Sequence, residues 1–447
     1  MASAAEQLAA NMNLGVFAKA TELKKRLWFT LGALIVYRIG TYIPVPGVDA
    51  GVMADLIAQM GGGILGMFDM FTGGALGRMT VFALNIMPYI SASIIIQLMT
   101  AAVPSLEALK KEGEMGRKKL NQYTRYLTVL IAVFQAWGIA VGLEGMRGPS
   151  GAAVSDPGMF FRFSCIVTLV GGTMFLMWLG EQITARGVGN GISLIIFAGI
   201  VANLPSALAG TLELGRTGAI STFVIIFLLL MCVLVVAAVV YIERAQRRIV
   251  VQYPKRQVGN KMFGGDSTHL PLKLNTAGVI PPIFASSLLL LPVTVAGFRQ
   301  DTEADWLSSI TGLLAHGEPL YMISYAVMIA FFAFFYTAVV FNPTETADNL
   351  KKHGGFIPGI RPGQNTADYF DHVLTRLTAL GALYLVIICL LPEFLIARYS
   401  VPFYFGGTSL LIVVTVTMDT VAQIQSHLLA HQYEGLLRKS RLKGARR

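Results

Sequence analysis

The sequence predicts an all-α integral membrane protein with ten transmembrane helices in two pseudo-symmetric five-helix halves. Three observations lead to this fold class. First, 54% of the 447 residues are hydrophobic and 13% are charged, whereas soluble domains carry roughly 25% charged residues. Second, ten apolar runs are long enough to cross a bilayer. Third, one short apolar motif occurs once in each half of the chain.

The ten predicted spans follow one another along almost the whole chain. In order, they cover residues 27–43, 79–100, 126–143, 160–179, 191–208, 218–242, 277–297, 320–341, 375–391 and 408–424. Residues 1–26 precede the first apolar run and lack the pattern of a cleavable signal peptide, so we expect them to be a cytoplasmic N-terminus. We expect residues 425–447 to be a basic cytoplasmic C-terminal tail.

The repeated motif predicts two related halves. MPYISAS at residues 87–93 matches IPPIFAS at residues 280–286, with Pro, Ile, Ala and Ser at the same offsets. Repeats of this kind in membrane proteins indicate two halves with the working site where they face each other. The first half is then 27–208 and the second half is 218–424, with a seam loop at 209–217 between them; the loop as a whole is expected to cover 205–216. Chance similarity between two apolar helices rich in Ala, Ser and Ile would produce the same match.

The basic residues predict the orientation. When both termini are placed in the cytoplasm, 28 of the 35 lysine and arginine residues lie on that side, including every lysine. This distribution follows the positive-inside rule for membrane proteins. Topology therefore explains the net charge of +10 without a nucleic-acid partner.

Two cytoplasmic loops, 243–276 and 342–372, are too long to be simple connectors. The β-branched run in the first predicts a short hairpin strand that stands off the membrane. In the second, Pro-Gly steps on both sides of Arg361 predict a rigid bend with the arginine at its tip. Topology accounts for most of the basic residues, but it does not explain an arginine in such constrained backbone. We therefore expect Arg361 to dock a partner.

A glycine-flanked apolar stretch at 61–74 lies between the first two spans. Its apolar part is too short to cross a bilayer, so it must be an interfacial or re-entrant segment surrounded by protein or by a water-filled cavity. Glycines at both ends would let it move, and a fixed loop that packs the bundle is the alternative. Its apolar residues are Ile64, Leu65, Met67, Phe68, Met70 and Phe71.

The sequence lacks the residue patterns of an enzyme. It has no metal-spaced cluster, no nucleotide-binding glycine loop and no nucleophile motif. Cys165, Cys232 and Cys389 all fall in apolar runs, where cysteine behaves as a small hydrophobic residue. The glycine-rich residues 187–191 cap a cytoplasmic turn and make a poor phosphate loop. We therefore predict no catalytic site, no metal and no cofactor.

In place of catalytic or metal-binding residues, the predicted helices contain isoleucines at notable positions. Ile86 and Ile90 are four residues apart on one helix face, and Ile283 occupies the place in the second repeat that matches Ile90. Ile196 and Ile412 lie in the spans that end the two halves. Isoleucine in a membrane helix ordinarily faces lipid or core, so these residues alone do not decide whether they form a constriction.

The sequence resembles the SecY family, the large subunits of bacterial protein-translocation channels, over nearly its whole length. The resemblance is closest at residues 88–97, 175–183, 189–199, 267–271, 341–352, 358–363 and 402–413. It is weakest in the extracytoplasmic loops and the first twenty residues. Asn85 departs from the pattern, since a small residue is common there; its amide would either loosen the seal or bond within its own helix.

The resemblance implies an hourglass pore between the halves, with a lateral opening toward lipid between helices 2–3 and 7–8. The implied pore ring is Ile86, Ile90, Ile196, Ile283 and Ile412, and the short segment 64–71 is the implied plug. The residues implied to dock cytoplasmic partners are Arg361, Arg247, Arg248, Lys255, Arg256, Lys351 and Lys352.

The implied function is to pass unfolded polypeptides across the bacterial plasma (inner) membrane and to release transmembrane segments laterally into the lipid bilayer. The implied partners are SecE-like and SecG-like small subunits, the SecA motor ATPase, the ribosome and polypeptides with signal sequences. A ring of branched aliphatic side chains can close around any passing chain without recognising its sequence, and an empty apolar constriction resists ions by dewetting.

Two other functions stay open at this point. An ion-coupled secondary transporter would also have inverted repeats, but it needs a polar midplane site. The sequence offers aliphatic residues there together with Ser91, Ser93, Ser286 and Ser287. An insertase or scaffold without a pore is the second alternative, and single-channel conductance would distinguish it from a channel.

Overall fold

The structure is a computed structural model that describes residues 21–59, 69, 72–148, 151–218, 221–253, 256–258, 261–263, 267–297, 318–399 and 407–444. The helices of the first half are α1 (Thr21–Gly40), α2 (Ala50–Gln59), α3 (Met87–Ala102), α4 (Pro104–Lys111), α5 (Glu114–Gly145), α6 (Met159–Arg186) and α7 (Gly191–Arg216). Those of the second half are α8 (Thr222–Arg244), α9 (Ile280–Gly297), α10 (Pro319–Val340), α11 (Pro343–Lys352), α12 (Gln364–Tyr399) and α13 (Gly407–Gly444).

Six short strands form three antiparallel pairs. The strands are β1 (Arg147–Gly148), β2 (Gly151–Ala152), β3 (Gln246–Gln252), β4 (Arg256–Val258), β5 (Lys261–Phe263) and β6 (Ser267–Lys273). Strand β1 pairs with β2, β3 with β6, and β4 with β5. The hairpin strand predicted within residues 243–276 is therefore confirmed as β3.

A helix occupies each of the ten predicted span positions. Within the described residues, seven helices (α5, α6, α7, α8, α10, α12 and α13) are long and apolar enough to cross a membrane. The pair α3 and α4, bent by 99°, would be an eighth span. The protein is thus a multi-pass membrane protein with a mostly helical fold, and the count of ten spans stays a prediction.

The predicted span 79–100 was placed too early, because residues 79–86 form turns rather than helix. Met79 and Asn85 have positive φ angles of 45° and 49°, which a right-handed helix cannot contain. Helix α3 starts only at Met87, with Pro88 in its first turn, where the missing proline N–H leaves no helical hydrogen bond unmade.

Two glycines make room for this turn segment between neighbouring helices. The backbone of Gly40 lies against the Phe82 ring, and that of Gly172 lies against the Val81 carbonyl. Neither position has space for a Cβ atom. The turn segment is therefore wedged between α1 and α6, and this packing sets where α3 begins.

The seam was predicted as a loop at 205–216, or 209–217, and this is wrong, because α7 continues to Arg216 with Pro205 inside it. A proline removes one helical hydrogen bond, but membrane helices tolerate that loss when neighbouring groups compensate. The helix ends next to Gly218, whose φ is 76°. The break between the halves therefore falls after Thr217.

The segment 342–372 was predicted as a loop, but it contains α11 and the first turns of α12. Asn342 caps α11, since its side-chain oxygen accepts hydrogen bonds from the backbone N–H groups of Thr344 and Glu345 at 3.2 and 3.3 Å. Hydropathy missed this helix because it is short and mostly polar.

Buried side chains from both halves form one continuous core. Helix α9 of the second half packs against α3 and α5 of the first, while α7 packs against α8 and α13. The halves therefore meet along two separate lines of helix contact, and the candidate site lies between those lines.

Candidate functional site

A small cavity between the two halves is lined by all five isoleucines of the implied ring. Ile86 and Ile90 come from the start of α3, Ile196 from α7, Ile283 from α9 and Ile412 from α13. The cavity measures about 20 Å³, which is room for about one water molecule. Four of the five side chains are buried and Ile283 is partly buried. The structure therefore places the five residues of the implied ring around one cavity.

The repeated motif explains how two of the walls are built. Ile86 is the N-cap residue of α3, and the backbone N–H of Ile90 donates to its carbonyl at 3.0 Å. Helix α9 begins at Ile280, three residues before Ile283. Both helices carry prolines in their first turn, and both place an isoleucine of that turn in the cavity wall. Each half thus contributes a helix N-terminus and an isoleucine at the matching place.

Two serine hydroxyls at or next to the cavity bond to the backbone of α9. The hydroxyls of Ser286 and Ser287 both donate to the Ile283 carbonyl, at 3.0 and 2.7 Å. Asn85 also lines the cavity, in the left-handed region of backbone conformation, which asparagine tolerates better than most residues do. Its presence is therefore explained by the turn before α3. Met87 also lines the cavity and was not among the predicted ring residues; its position next to Ile86 was the available signal.

The chemistry of the cavity wall is that of a hydrophobic constriction. None of the residues that line it is ionisable, and the described part of the chain has no group of His, Cys, Asp or Glu that could hold a metal. Moving an ion away from water into apolar surroundings without compensation is very costly. A throat of this composition can exclude ions by dewetting and still yield to a flexible chain.

The six predicted plug residues, Ile64, Leu65, Met67, Phe68, Met70 and Phe71, lie outside the described residues. Asp69 is described, and its carboxylate accepts a hydrogen bond from the Gly77 N–H at 2.6 Å. Burial raises the pKa of the Asp69 carboxyl, while the Gly77 N–H and the Arg78 charge act in the opposite direction. There is little space for a side chain at position 77, because a Cβ atom on Gly77 would lie 3.0 Å from Asp69 Oδ2.

Residues 72–74 form a turn that α1 holds in place. Arg38 Nη1 donates to the Gly73 carbonyl at 2.7 Å, and the Tyr37 hydroxyl donates to the Thr72 carbonyl at 3.2 Å. Gly73 and Gly74 have φ angles of 70° and 83°, which favour glycine. At this end of the stretch, the glycines therefore serve a clamped turn rather than an open hinge.

The two long segments that were predicted as loops pack together as one body, which we call the platform (the described residues within 246–273 and 342–377). Gln252 of β3 and Phe356 exchange two backbone hydrogen bonds of 2.9 Å. Gly355 allows this approach, since a Cβ would lie 3.0 Å from the Tyr253 ring. A small hydrophobic core fills the platform. Its buried residues are Ile249, Leu272, Ala347, Ile357, Ala367, Phe370, Val373, Leu374 and Leu377.

The predicted bend around Arg361 is confirmed. The backbone N–H of Ile360 donates to the carbonyl of buried Ile357 at 3.1 Å across a turn that contains Gly359, with φ 84°. The Thr366 hydroxyl donates to the Arg361 carbonyl at 2.9 Å. The backbone of Arg361 is thereby anchored on the platform, while its side chain is exposed.

The other predicted docking residues lie on the same platform. Arg247, Arg248, Lys351 and Lys352 are exposed, and like Arg361 they form no ion pair with any described residue. Arg256 lies in β4, and Lys255 lies outside the described residues. The platform therefore presents several positive charges that no described carboxylate neutralises.

The comparisons with known proteins agree with one another. The sequence pattern of the SecY family matches residues 80–421. The protein translocase subunit SecY of Escherichia coli (strain K12) is 58% identical over 424 residues, which cover 95% of this chain and 96% of the relative. A solved protein-conducting channel has a TM-score of 0.63 at 18% identity and covers 91% of this chain and 92% of its own. Sec61 in a canine ribosome–channel complex has a TM-score of 0.60 at 17% identity, with the same coverage; both structures share the fold.

Proposed function

The chain belongs to the SecY family, and we propose that it forms the pore through which unfolded polypeptides cross the bacterial plasma membrane. It is a protein-conducting channel subunit of the translocase. The observation that carries the proposed pore is the convergence of Ile86, Ile90, Ile196, Ile283 and Ile412 on one cavity between the halves.

The five isoleucines act as a gasket. At rest they leave room for about one water molecule, so the throat is closed to ions. Branched aliphatic side chains need no specific partner, so a polypeptide of any sequence can displace them. A secondary transporter would require a polar binding site at this depth, and the apolar wall supports the channel instead.

Transmembrane segments leave the channel sideways, between α3 and α5 on one side and α9 and α10 on the other. The contact of α9 with α3 and α5 supports this route, because it is one of the two lines along which the halves meet. On the cytoplasmic side, Lys110 of α4 reaches across to the Val339 carbonyl of α10 at 3.1 Å. Lateral release requires these contacts to part.

The platform binds the ribosome or the SecA motor, and this bound partner supplies the energy that moves the polypeptide. Its uncompensated arginines and lysines suit a partner with anionic groups, such as ribosomal RNA phosphates or acidic side chains. Arg361 is the key contact, since a planar guanidinium on a rigid bend can bind a phosphate or carboxylate through two parallel hydrogen bonds.

The proposed location is the bacterial inner membrane, with both termini in the cytoplasm. The placement of every lysine on one side supports this orientation. A SecE-like subunit braces the two halves, and a SecG-like subunit completes the complex. Exposed apolar residues on α1, among them Trp28, Ile35 and Ile39, are available to these subunits or to lipid.

Reconstitution tests the proposed function. The purified chain, a SecE-like subunit and the SecA motor are placed in lipid vesicles with an unfolded secretory precursor. We expect ATP-dependent protection of the precursor from external protease. A complex that binds the motor and the precursor but never protects the precursor would overturn the proposal.

The plug segment gives a further prediction. Deleting residues 64–71 should yield a channel that leaks ions at rest and still translocates protein, because an apolar segment too short to span finds its place in the outer funnel above the ring. Planar-bilayer conductance without substrate measures the leak. A variant in which a Gly/Ser linker of equal length replaces the segment controls for chain shortening. Background conductance in both variants would mean that the segment only packs the bundle.

A further inference from the structure

Asn275 is a buried polar side chain at the junction between the platform and the helix that carries Ile283. Only 4% of it is exposed. Its Nδ2 donates to Glu243 Oε1, in the last turn of α8, at 2.7 Å and to the Gly278 carbonyl at 3.1 Å. Its Oδ1 accepts from the Gly278 N–H at 3.1 Å. One side chain thus ties the end of α8 to the turn before α9.

This turn is the direct continuation of the platform. Strand β6 ends at Lys273, which pairs with Gln246 at the base of the hairpin. The next residue, Leu274, donates its N–H to the Ala245 carbonyl at 3.0 Å. Only residues 275–279 then separate this base from the start of α9. With so short a connection, any displacement of the hairpin base acts on the Asn275 turn first.

The turn has little freedom to absorb such a displacement. Gly381 of α12 packs so closely against the turn that a Cβ atom on Gly381 would lie 3.0 Å from the Leu274 carbonyl oxygen. Breaking the Asn275 bonds would leave buried polar groups unpaired, which is expensive. The turn, the end of α8 and the start of α9 are therefore held as one unit.

The same unit leads directly to the ring residue Ile283. Ile280 packs against the central core, and Ile283 lies one turn further along α9 in the cavity wall. We propose that Asn275 is the positioning residue that holds Ile283 in the closed ring and transmits partner docking on the platform to α9. This inference rests on the proposed docking role of the platform and the proposed ring.

Two variants test this coupling. Asn275→Ala removes all three hydrogen bonds. Asn275→Asp keeps the acceptor for the Gly278 N–H but loses the donor to Glu243 and sets two carboxyl groups against each other. Asn342→Ala is the matched control, since it removes an asparagine cap from the same platform, far along the chain from the turn.

The measurement is made on the complex in lipid nanodiscs, with spin labels at cysteines introduced by Met99→Cys on α3 and Leu288→Cys on α9, both exposed positions. Non-translating ribosomes are the probe. We expect ribosome binding to change the label distance in the parent protein. In both Asn275 variants, ribosome affinity should stay within about twofold of the parent, while the distance change falls about fivefold or more, as expected when two sites are uncoupled.

A reciprocal exchange isolates the bond itself. Glu243→Gln alone should keep the response, because an amide oxygen still accepts from Asn275. Combined with Asn275→Asp, it should restore much of the lost response, since the introduced amide can donate to the introduced carboxylate. A residue needed only for folding would show no such rescue.

The possible outcomes distinguish failure of this inference from failure of the proposed function on which it rests. A full distance change in both Asn275 variants, equal to that of Asn342→Ala, would overturn the role of Asn275 and leave docking and ring untouched. Equal losses of ribosome affinity and distance change would also overturn it, because the defect would then lie in the platform. If the parent protein fails to bind ribosomes, the proposed docking fails and the inference fails with it.

Discussion

Arg361→Glu should reduce ATP-driven translocation in reconstituted vesicles to near background while the protein stays inserted and folded. The arginine stands exposed on a bend whose backbone is tied to the platform by Ile357 and Thr366. Reversing its charge removes the interaction with an anionic partner group and replaces it with repulsion, which we expect to weaken docking by about tenfold or more. The folded state loses little, because the side chain pairs with no described carboxylate.

Graded substitutions at this position distinguish docking from folding. Arg361→Lys keeps the charge but loses the planar fork, so we expect an intermediate defect. Arg361→Ala removes the contact without repulsion and should fall between the lysine and glutamate variants. All three should unfold at the temperature of the parent protein. Full translocation by the glutamate variant would exclude Arg361 from the docking surface.

The second large effect concerns the ring. Replacing Ile90 and Ile283 together with serine should raise resting ion permeability more than either single change. The two residues come from opposite halves and line the same cavity. Serine hydroxyls hydrate where isoleucine methyl groups do not, which lowers the cost of water in the throat. Because both residues shape one small aperture, their effects should be non-additive.

Planar-bilayer conductance without substrate measures this leak. The matched control is the double change Ile226→Ser on α8 and Ile387→Ser on α12, which has the same chemistry at two exposed positions. Those two positions should show little change in conductance, since they do not face the cavity. A sealed pore in the Ile90 and Ile283 double variant would mean that these residues are not the gasket.

The sequence by itself determined the multi-pass helical membrane class and the family, and it predicts the orientation. Hydropathy is a local property, so each apolar run carries its own signal for a helix, and a helix lies at all ten predicted positions. Strand β3 and the bend at Arg361 were also predictable, because β-branched runs and Pro-Gly steps restrict the backbone within a few residues.

The start of α3 and the end of α7 were decided by tertiary packing. Residues 79–86 are apolar enough for a helix, yet they form turns because Gly40 and Gly172 admit them between neighbouring helices. Pro205 suggested a loop, yet α7 runs on to Arg216. In both places the surroundings of the backbone outweighed its local preference.

Only the tertiary structure could bring the functional groups together. An isoleucine that faces lipid and one that faces a pore look alike in a sequence, and Ile86 meets Ile412 only when both halves have packed. The same holds for the platform, where Gln252 pairs with Phe356, and for Asn275, whose partner Glu243 lies on the preceding helix. These contacts join residues far apart in the chain, so they follow from the packing of the whole bundle and not from any local pattern.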